Sequence, residues 1–281
     1  MSNDIVSTQW LEDHLGSPDI AIIDASWHLP TANRDARKEF RDAHIPGAQF
    51  FDIDELSDTT SSLPHMLPSP EKFSSRMRKM GIGDGKRVIA YDSVGLFSAA
   101  RAWWMFKVFG HDDVAILDGG LKKWLAEERA TEDGPALPCQ ERHFTARFKG
   151  SMVKDMRDVA AALKSGTAQV ADARSATRFR GEEVEPRAHV RAGHMPGAKN
   201  VHYASLLNPD GTLKSREDIA ATFKAAGIDL ARPVITSCGS GITAAILSLG
   251  LTLTGAREHA LYDGSWTEWG GDPDAAAATG A

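Results

Sequence analysis

One ordered series of signals occurs twice in this chain, about 145 to 150 residues apart, and a duplication of that kind obliges the two halves to fold alike. Ile22-Ile23-Asp24-Ala25 is answered by Val170-Ala171-Asp172-Ala173, each a short apolar run closing on Asp-Ala. Arg41-Asp42-Ala43-His44-Ile45-Pro46-Gly47-Ala48 is answered by Arg191-Ala192-Gly193-His194-Met195-Pro196-Gly197-Ala198, a turn with Pro and Gly at matching places. Val88-Ile89-Ala90-Tyr91-Asp92 aligns with Val234-Ile235-Thr236-Ser237-Cys238, and Leu117-Asp118-Gly119-Gly120 with Tyr262-Asp263-Gly264-Ser265. Trp124 and Trp269 close the two repeats.

Between these anchors apolar residues recur at spacings of three and four, which predicts helices near 69–80, 97–109 and 120–127, and again near 153–164, 215–226, 241–252 and 265–269. Strands alternating with helices imply an α/β fold in two tandem domains, each a parallel sheet with helices on both faces. The crossovers are expected to be right-handed. A chain of 281 residues, 42% hydrophobic, can fill two such cores, and most of the seven tryptophans fall in apolar helical patterns that read as core. The expected division is an N-terminal domain over 1–138, a linker over 139–152 and a C-terminal domain over 153–281. The alanine-rich tail after residue 270 is expected to fray.

The halves differ where chemistry can sit. Cys238 ends a β-rich run and is followed by Gly239-Ser240-Gly241-Ile242-Thr243-Ala244-Ala245, a tight loop leading into a helix. Such a loop aims backbone N–H groups inward, and the helix behind it adds the positive end of its dipole, so an anion is favoured at the centre. A thiolate is the anion on offer; the competing reading is a buried structural cysteine. In the first half Asp92 takes the cysteine's place. A carboxylate is a poor nucleophile and is expected to cap the following helix, so the N-terminal domain reads as non-catalytic. His44 and His194 recur beside Pro-Gly in both halves, which argues for a turn or packing role.

The net charge of −6 and the lack of a basic cluster with interleaved aromatics argue against a nucleic-acid partner. Only Cys139 and Cys238 are present, far apart and with no CxxC or His-rich neighbour, so neither a disulfide framework nor a metal site is indicated. Cys139 reads as an ordinary thiol, with a regulatory intermolecular disulfide as the alternative. No basic start followed by an apolar run opens the sequence, and no apolar stretch approaches membrane-spanning length. A soluble, cytoplasmic protein without a membrane partner is expected.

Two tandem repeats, Phe40-x-x-x-His44-Ile45-Pro46-Gly47-Ala48, the loop Cys238-Gly239-Ser240-Gly241-Ile242-Thr243-Ala244, and Tyr262-Asp263-Gly264-Ser265-Trp266-x-Glu268-Trp269 together resemble the tandem rhodanese-domain sulfurtransferases. The resemblance runs from about Trp10 to Trp269. It implies two rhodanese-like domains and a sulfur transfer through a Cys238 persulfide, with no cofactor. Thiosulfate-using members resemble Cys-Arg-Lys-Gly-Val-Thr, whereas the neutral loop here looks like the branch that uses 3-mercaptopyruvate. Physics agrees in direction, since a loop without a cation offers a dianion no direct partner.

The resemblance further implies that Arg178 and Arg187 hold the substrate's carboxylate and carbonyl oxygens. On one straight helix residues nine apart face opposite ways, but Gly181 and Pro186 predict a loop in which the two guanidiniums can converge. The bland alternative is that these arginines pair with Glu182, Glu183 or Glu185 on a solvated loop. Gly239, Gly241, Ile242 and Thr243 are candidate substrate-binding positions of the loop itself. Asp54 and His65, in an irregular stretch of the first half, together with Ser240, match a Ser–His–Asp relay that the branch is thought to use; taken alone, His65 reads as a surface histidine. The implied acceptor is a thiol or cyanide, with reduced thioredoxin as a cellular candidate.

Three rivals remain. One is thiosulfate sulfur transfer, the same chemistry with another donor. A cysteine phosphatase needs an arginine at the sixth position after the cysteine, where this chain has Ala244. The third is a non-enzymatic persulfide carrier or docking protein.

Overall fold

A computed structural model describes residues 3–256 and 258–280. The chain forms two units: Met1–Thr59 with Leu67–Lys149 and Leu207–Leu213, and Thr60–Met66 with Gly150–Leu206 and Lys214–Ala281. Each unit therefore incorporates a short segment of the other repeat.

The first unit contains β1 (Ile5–Val6), α1 (Thr8–Asp13), β2 (Ile20–Asp24), α2 (Ala36–Asp42), β3 (Gln49–Phe50), α3 (Ile53–Leu56), α4 (Pro70–Lys79), β4 (Arg87–Tyr91), α5 (Ala99–Val108), β5 (Val114–Leu117) and α6 (Gly120–Ala126). Its strands pair in the order β1-β5-β4-β2-β3, all parallel. The second unit contains β6 (Val153–Lys154), α7 (Met156–Ser165), β7 (Gln169–Asp172), α8 (Ala176–Arg180), β8 (Lys199–Asn200), α9 (Arg216–Ala225), β9 (Val234–Ser237), α10 (Ala244–Thr254), β10 (His259–Tyr262) and α11 (Ser265–Trp269). Its order, β6-β10-β9-β7-β8, again all parallel, repeats the first. The middle strands, β4 and β9, are the ones that run into Asp92 and Cys238.

Why these segments become these elements follows from their residues. Val88, Ile89, Ala90 and Tyr91 of β4 are all fully buried, as a parallel strand covered on both faces requires. Ser69 caps α4, accepting from Lys72 N–H with Pro70 in the first turn, and Asp155 with Asp158 forms a capping box on α7. Trp103, Trp104 and Trp124 are buried in the first unit, and Trp266 and Trp269 in the second, so these five are core as expected. No helix among the described residues is long and apolar enough to cross a membrane.

Two expectations about the chain's course change. Residues 139–149 are fixed to the first unit: Phe144 is fully buried, Arg147 N–H donates to Phe109 O and Lys149 N–H to Val108 O. The division thus falls at 149/150, and the earlier part of the supposed linker is a strap. The tail beyond Gly270 is tied down too. His194 and Ala278 exchange backbone hydrogen bonds, Trp269 Nε1 donates to Ala276 O at 2.7 Å, and Arg191 Nη2 donates to Asp272 O and Ala275 O. Low complexity signalled fraying, but the backbone carbonyls of that tail are what Arg191 and Trp269 need.

The repeated histidines behave alike. His44 stacks on Phe40 and His194 on Phe179, and each Nδ1 meets that phenylalanine's carbonyl oxygen at 2.8 Å.

Candidate active site

Asp92 shows what the loop after the central strand is built to hold. Its Oδ2 accepts from Phe97 N–H at 2.7 Å and from Ser98 and Ala99 N–H at 2.9 Å each, while Oδ1 accepts from Val94 N–H at 3.1 Å. No side chain of α5 caps its own N-terminus; the carboxylate from the strand does so. In the second unit α10 likewise has no side-chain cap. The repeat places Cys238 where Asp92 stands, and Thr243, Ala244 and Ala245 where the three donors stand. The Cys238 side chain thus takes the place along the repeat that a carboxylate fills in the sister loop.

Cys238 is buried, as are Ser240, Ile242 and Thr243. Gly241 takes φ +79°, a left-handed turn that glycine adopts without steric cost. The loop is fastened to the start of α11: Cys238 N–H donates to Ser265 Oγ at 3.2 Å, Cys238 O accepts from Trp266 N–H, and Gly239 O accepts from both Thr267 N–H and Oγ1. Ser265 is fully buried and left-handed at φ +50°, where its repeat counterpart is Gly120 at φ +54°. A serine therefore bears backbone strain that its sister avoids with a glycine, and its hydroxyl also donates to Tyr262 O at 2.8 Å.

Arg178 and Arg187 do converge. Arg178 lies on α8, which ends at Gly181 in the left-handed region, and Arg187 lies in the following loop. A Cβ added to Gly239 would meet Arg178 Nη2 at 3.2 Å and Arg187 Nη1 at 3.8 Å. Both guanidiniums thus crowd the residue after the cysteine. The alternative of ion pairing is also realised: Arg180 pairs with Glu182, and Arg178 with Glu185. Glu185 is not on a solvated loop, however, since it is buried and held in turn by Arg174 Nη1 at 2.8 Å. Arg174 is buried, grips Asp172 through Nε and Nη2, donates to Gly193 O, and lies 4.7 Å from the Trp266 ring centroid. Burial works against its charge, but Asp172 and then Glu185 outweigh that and hold the guanidinium above its ordinary range. The chain Asp172–Arg174–Glu185–Arg178 fixes the Arg178 guanidinium in place.

Ser240 Oγ meets His65 Nδ1 at 2.9 Å and accepts from Arg187 Nη2 at 3.2 Å. His65 is buried, not a surface histidine, and is held at φ +63°, a left-handed conformation uncommon for a residue with a side chain. Asp54 belongs to the first unit, on α3, where its Oδ2 accepts from Trp27 Nε1 at 3.1 Å.

Arg174 emerges from the structure alone, as do the burial of Glu185 and the hydrogen bonds of Ser265, two residues the sequence named without these roles. Asp172 was visible as the repeated end of a strand, but its partner two residues on has no counterpart in the first half, where Ser26 stands and donates its N–H to Asp24.

The family model described as Rhodanese-like domain matches residues 7–127 and 155–272. The chain is similar to the 3-mercaptopyruvate sulfurtransferase of Escherichia coli strain K12, 45% identical over 270 residues that cover 96% of this chain and 95% of that one. It is similar also to 3-mercaptopyruvate sulfurtransferase of Homo sapiens, 42% identical over 94% of this chain and 91% of the other. Among solved structures, SseA from Escherichia coli, described as a 3-mercaptopyruvate sulfotransferase, superimposes with a TM-score of 0.86 at 43% identity, covering 93% of this chain and 98% of that one.

Proposed function

The chain belongs to the rhodanese-like family, and from that premise we propose that it is an enzyme that moves sulfur from 3-mercaptopyruvate through a Cys238 persulfide to a thiol or cyanide. The observation that carries the donor assignment is the meeting of Arg178 and Arg187 at Gly239 beside the cysteine. Planar guanidinium forks suit the carboxylate and keto oxygens of a 2-oxo acid.

In the first half-reaction the Cys238 thiolate attacks the donor's thiol sulfur. The new S–S bond forms as the C–S bond breaks, and pyruvate departs as its enolate. The proton left on the transferred sulfur passes to the enolate carbon, leaving a persulfide anion and pyruvate. Ser240 and His65, in contact at 2.9 Å, are suited to carry that proton, with Arg187 holding the hydroxyl. The family resemblance suggests Asp54 as a third member of such a relay. A loop and helix start like those around Asp92 suit thiolate and persulfide alike, and the donor's own keto group takes up the electron pair of the broken C–S bond as the enolate. In the second half-reaction an acceptor thiol takes the outer sulfur and Cys238 leaves as thiolate. A small thiol or reduced thioredoxin is the proposed cellular acceptor, and a free nucleophilic thiol suits a reducing compartment such as the cytoplasm.

The test is steady-state kcat/KM with 3-mercaptopyruvate and with thiosulfate, cyanide as acceptor and Cys238→Ser as control. A preference for 3-mercaptopyruvate that disappears in the variant is expected. A preference for thiosulfate would overturn the donor, and turnover surviving in Cys238→Ser would overturn the nucleophile.

A further inference from the structure

A cavity of about 480 Å³ adjoins the cysteine loop within the second unit. Its walls are the turn Ser61–Pro64, the segment from Arg187 to Val190, and Thr267 with Gly271. Two of these residues are bonded to the loop: Arg187 to Ser240 Oγ, and Thr267 to Gly239 O. The turn opposite is set by Ser61 Oγ, which accepts from Leu63 N–H at 3.1 Å. Arg187 and His189 give the cavity a basic side, and no carboxylate side chain lines it. His189 is exposed and left-handed at φ +66°. The volume is in the range of small-molecule sites.

We propose that this cavity receives the sulfur acceptor, that the acceptor class it favours is a small thiol bearing a carboxylate, and that His189 is a specificity-determining residue for it. The inference rests on the persulfide reading above. In a two-step transfer the donor's pyruvate leaves before the acceptor arrives, so Arg187 is released just as the acceptor needs a partner. The acceptor thiolate and the persulfide are both negative, and a basic wall offsets their repulsion. With its carboxylate between Arg187 and His189, the acceptor directs its sulfur at the outer sulfur of Cys238. The acceptor S–S bond forms, the Cys238 S–S bond breaks, and its electron pair returns to Cys238 as thiolate. The acceptor leaves as a persulfide anion.

The experiment isolates discharge. Full-length protein is loaded with 3-mercaptopyruvate, freed of donor, and mixed with mercaptoacetate or cysteamine, thiols of similar size and opposite charge. Loading is counted by cyanide in the same preparation. Wild type is expected to discharge faster to mercaptoacetate, normalised to each thiolate's concentration. His189→Asp, which keeps a residue type that tolerates the left-handed backbone, is expected to cut the mercaptoacetate-to-cysteamine ratio by about tenfold, roughly 1.4 kcal/mol. His189→Asn should fall between. An equal ratio in all three loaded proteins, or no preference in wild type, overturns the proposal. If 3-mercaptopyruvate fails to load Cys238, the donor assignment fails; loading with inorganic polysulfide then still allows the acceptor comparison to decide.

Discussion

Gly239 is small because two guanidiniums need the space. A methyl group there would sit 3.2 Å from Arg178 Nη2, tighter than an ordinary contact, and Arg178 cannot swing away freely because Glu185 holds it. Gly239→Ala is therefore expected to fold normally and to raise KM for 3-mercaptopyruvate by about tenfold, the equivalent of about 1.4 kcal/mol, with a smaller effect on kcat. Steady-state kinetics beside a thermal melt checks this. An unchanged KM would mean that the arginines bind no part of the donor. At this scale the setting of Cys238 was legible, because a strand, a glycine loop and a helix start are local signals. The convergence of the arginine pair was expected only with the help of resemblance, Glu185 was named as a partner but on a solvated loop, and Arg174 was missed. Their role depends on Asp172, Gly193 and Trp266 meeting in space, which no spacing along the chain encodes.

At the scale of elements, α5 and α10 begin in the same way and end in different chemistry. Asp92 supplies α5 with the acceptor that its first turn lacks, so Asp92→Ala leaves three N–H groups without that oxygen. The expected cost is about 2 kcal/mol of stability in the first unit. Asp92→Asn, retaining a carbonyl oxygen, should cost less. Denaturant unfolding read in the two variants measures the difference; stability equal to wild type in Asp92→Ala would mean that water serves the helix as well. The long helices were legible from their periodicity to within a few residues, since α4, α5, α9 and α10 bury one face each or lie wholly in the core. Among the short helices α6 and α11 were read but α2, α3 and α8 were not, because four to seven residues hold too few turns for the period to be a dependable signal. Their starts are set instead by Asp35, Asp52 and Ser175, each capping with a side-chain oxygen.

At the scale of the molecule, one buried group in each unit answers acid in the opposite sense to the other. Burial raises the Asp24 carboxyl in the first unit from 3.8 to about 6, so its folded form prefers the proton. That contribution is fully present below pH 3.8 and is lost as pH rises to about 6. Burial lowers His259 in the second unit from 6.5 to about 4, so its folded form prefers to be neutral. That contribution is present above pH 6.5 and is lost as pH falls to about 4. Each amounts to about 3 kcal/mol at full extent. Calorimetry at pH 7.5 and pH 4.5 is expected to show the second unit weakening relative to the first on acidification. Asp24→Asn should remove the first unit's share of that change and leave the second's; a pH response identical to wild type would count against Asp24 as its source.

The tandem α/β plan was the most legible feature of all, because duplicated strands report on each other. What duplication hid is that the copies are no longer self-contained. Residues 60–66, His65 among them, come from the first repeat and belong to the second unit, while Leu207–Leu213 runs the other way. A chain severed between Lys149 and Gly150 would yield one fragment with the cysteine and another with the histidine. A cut between the repeats is thus not a cut between the units, and neither repeat by itself carries all the residues of one unit.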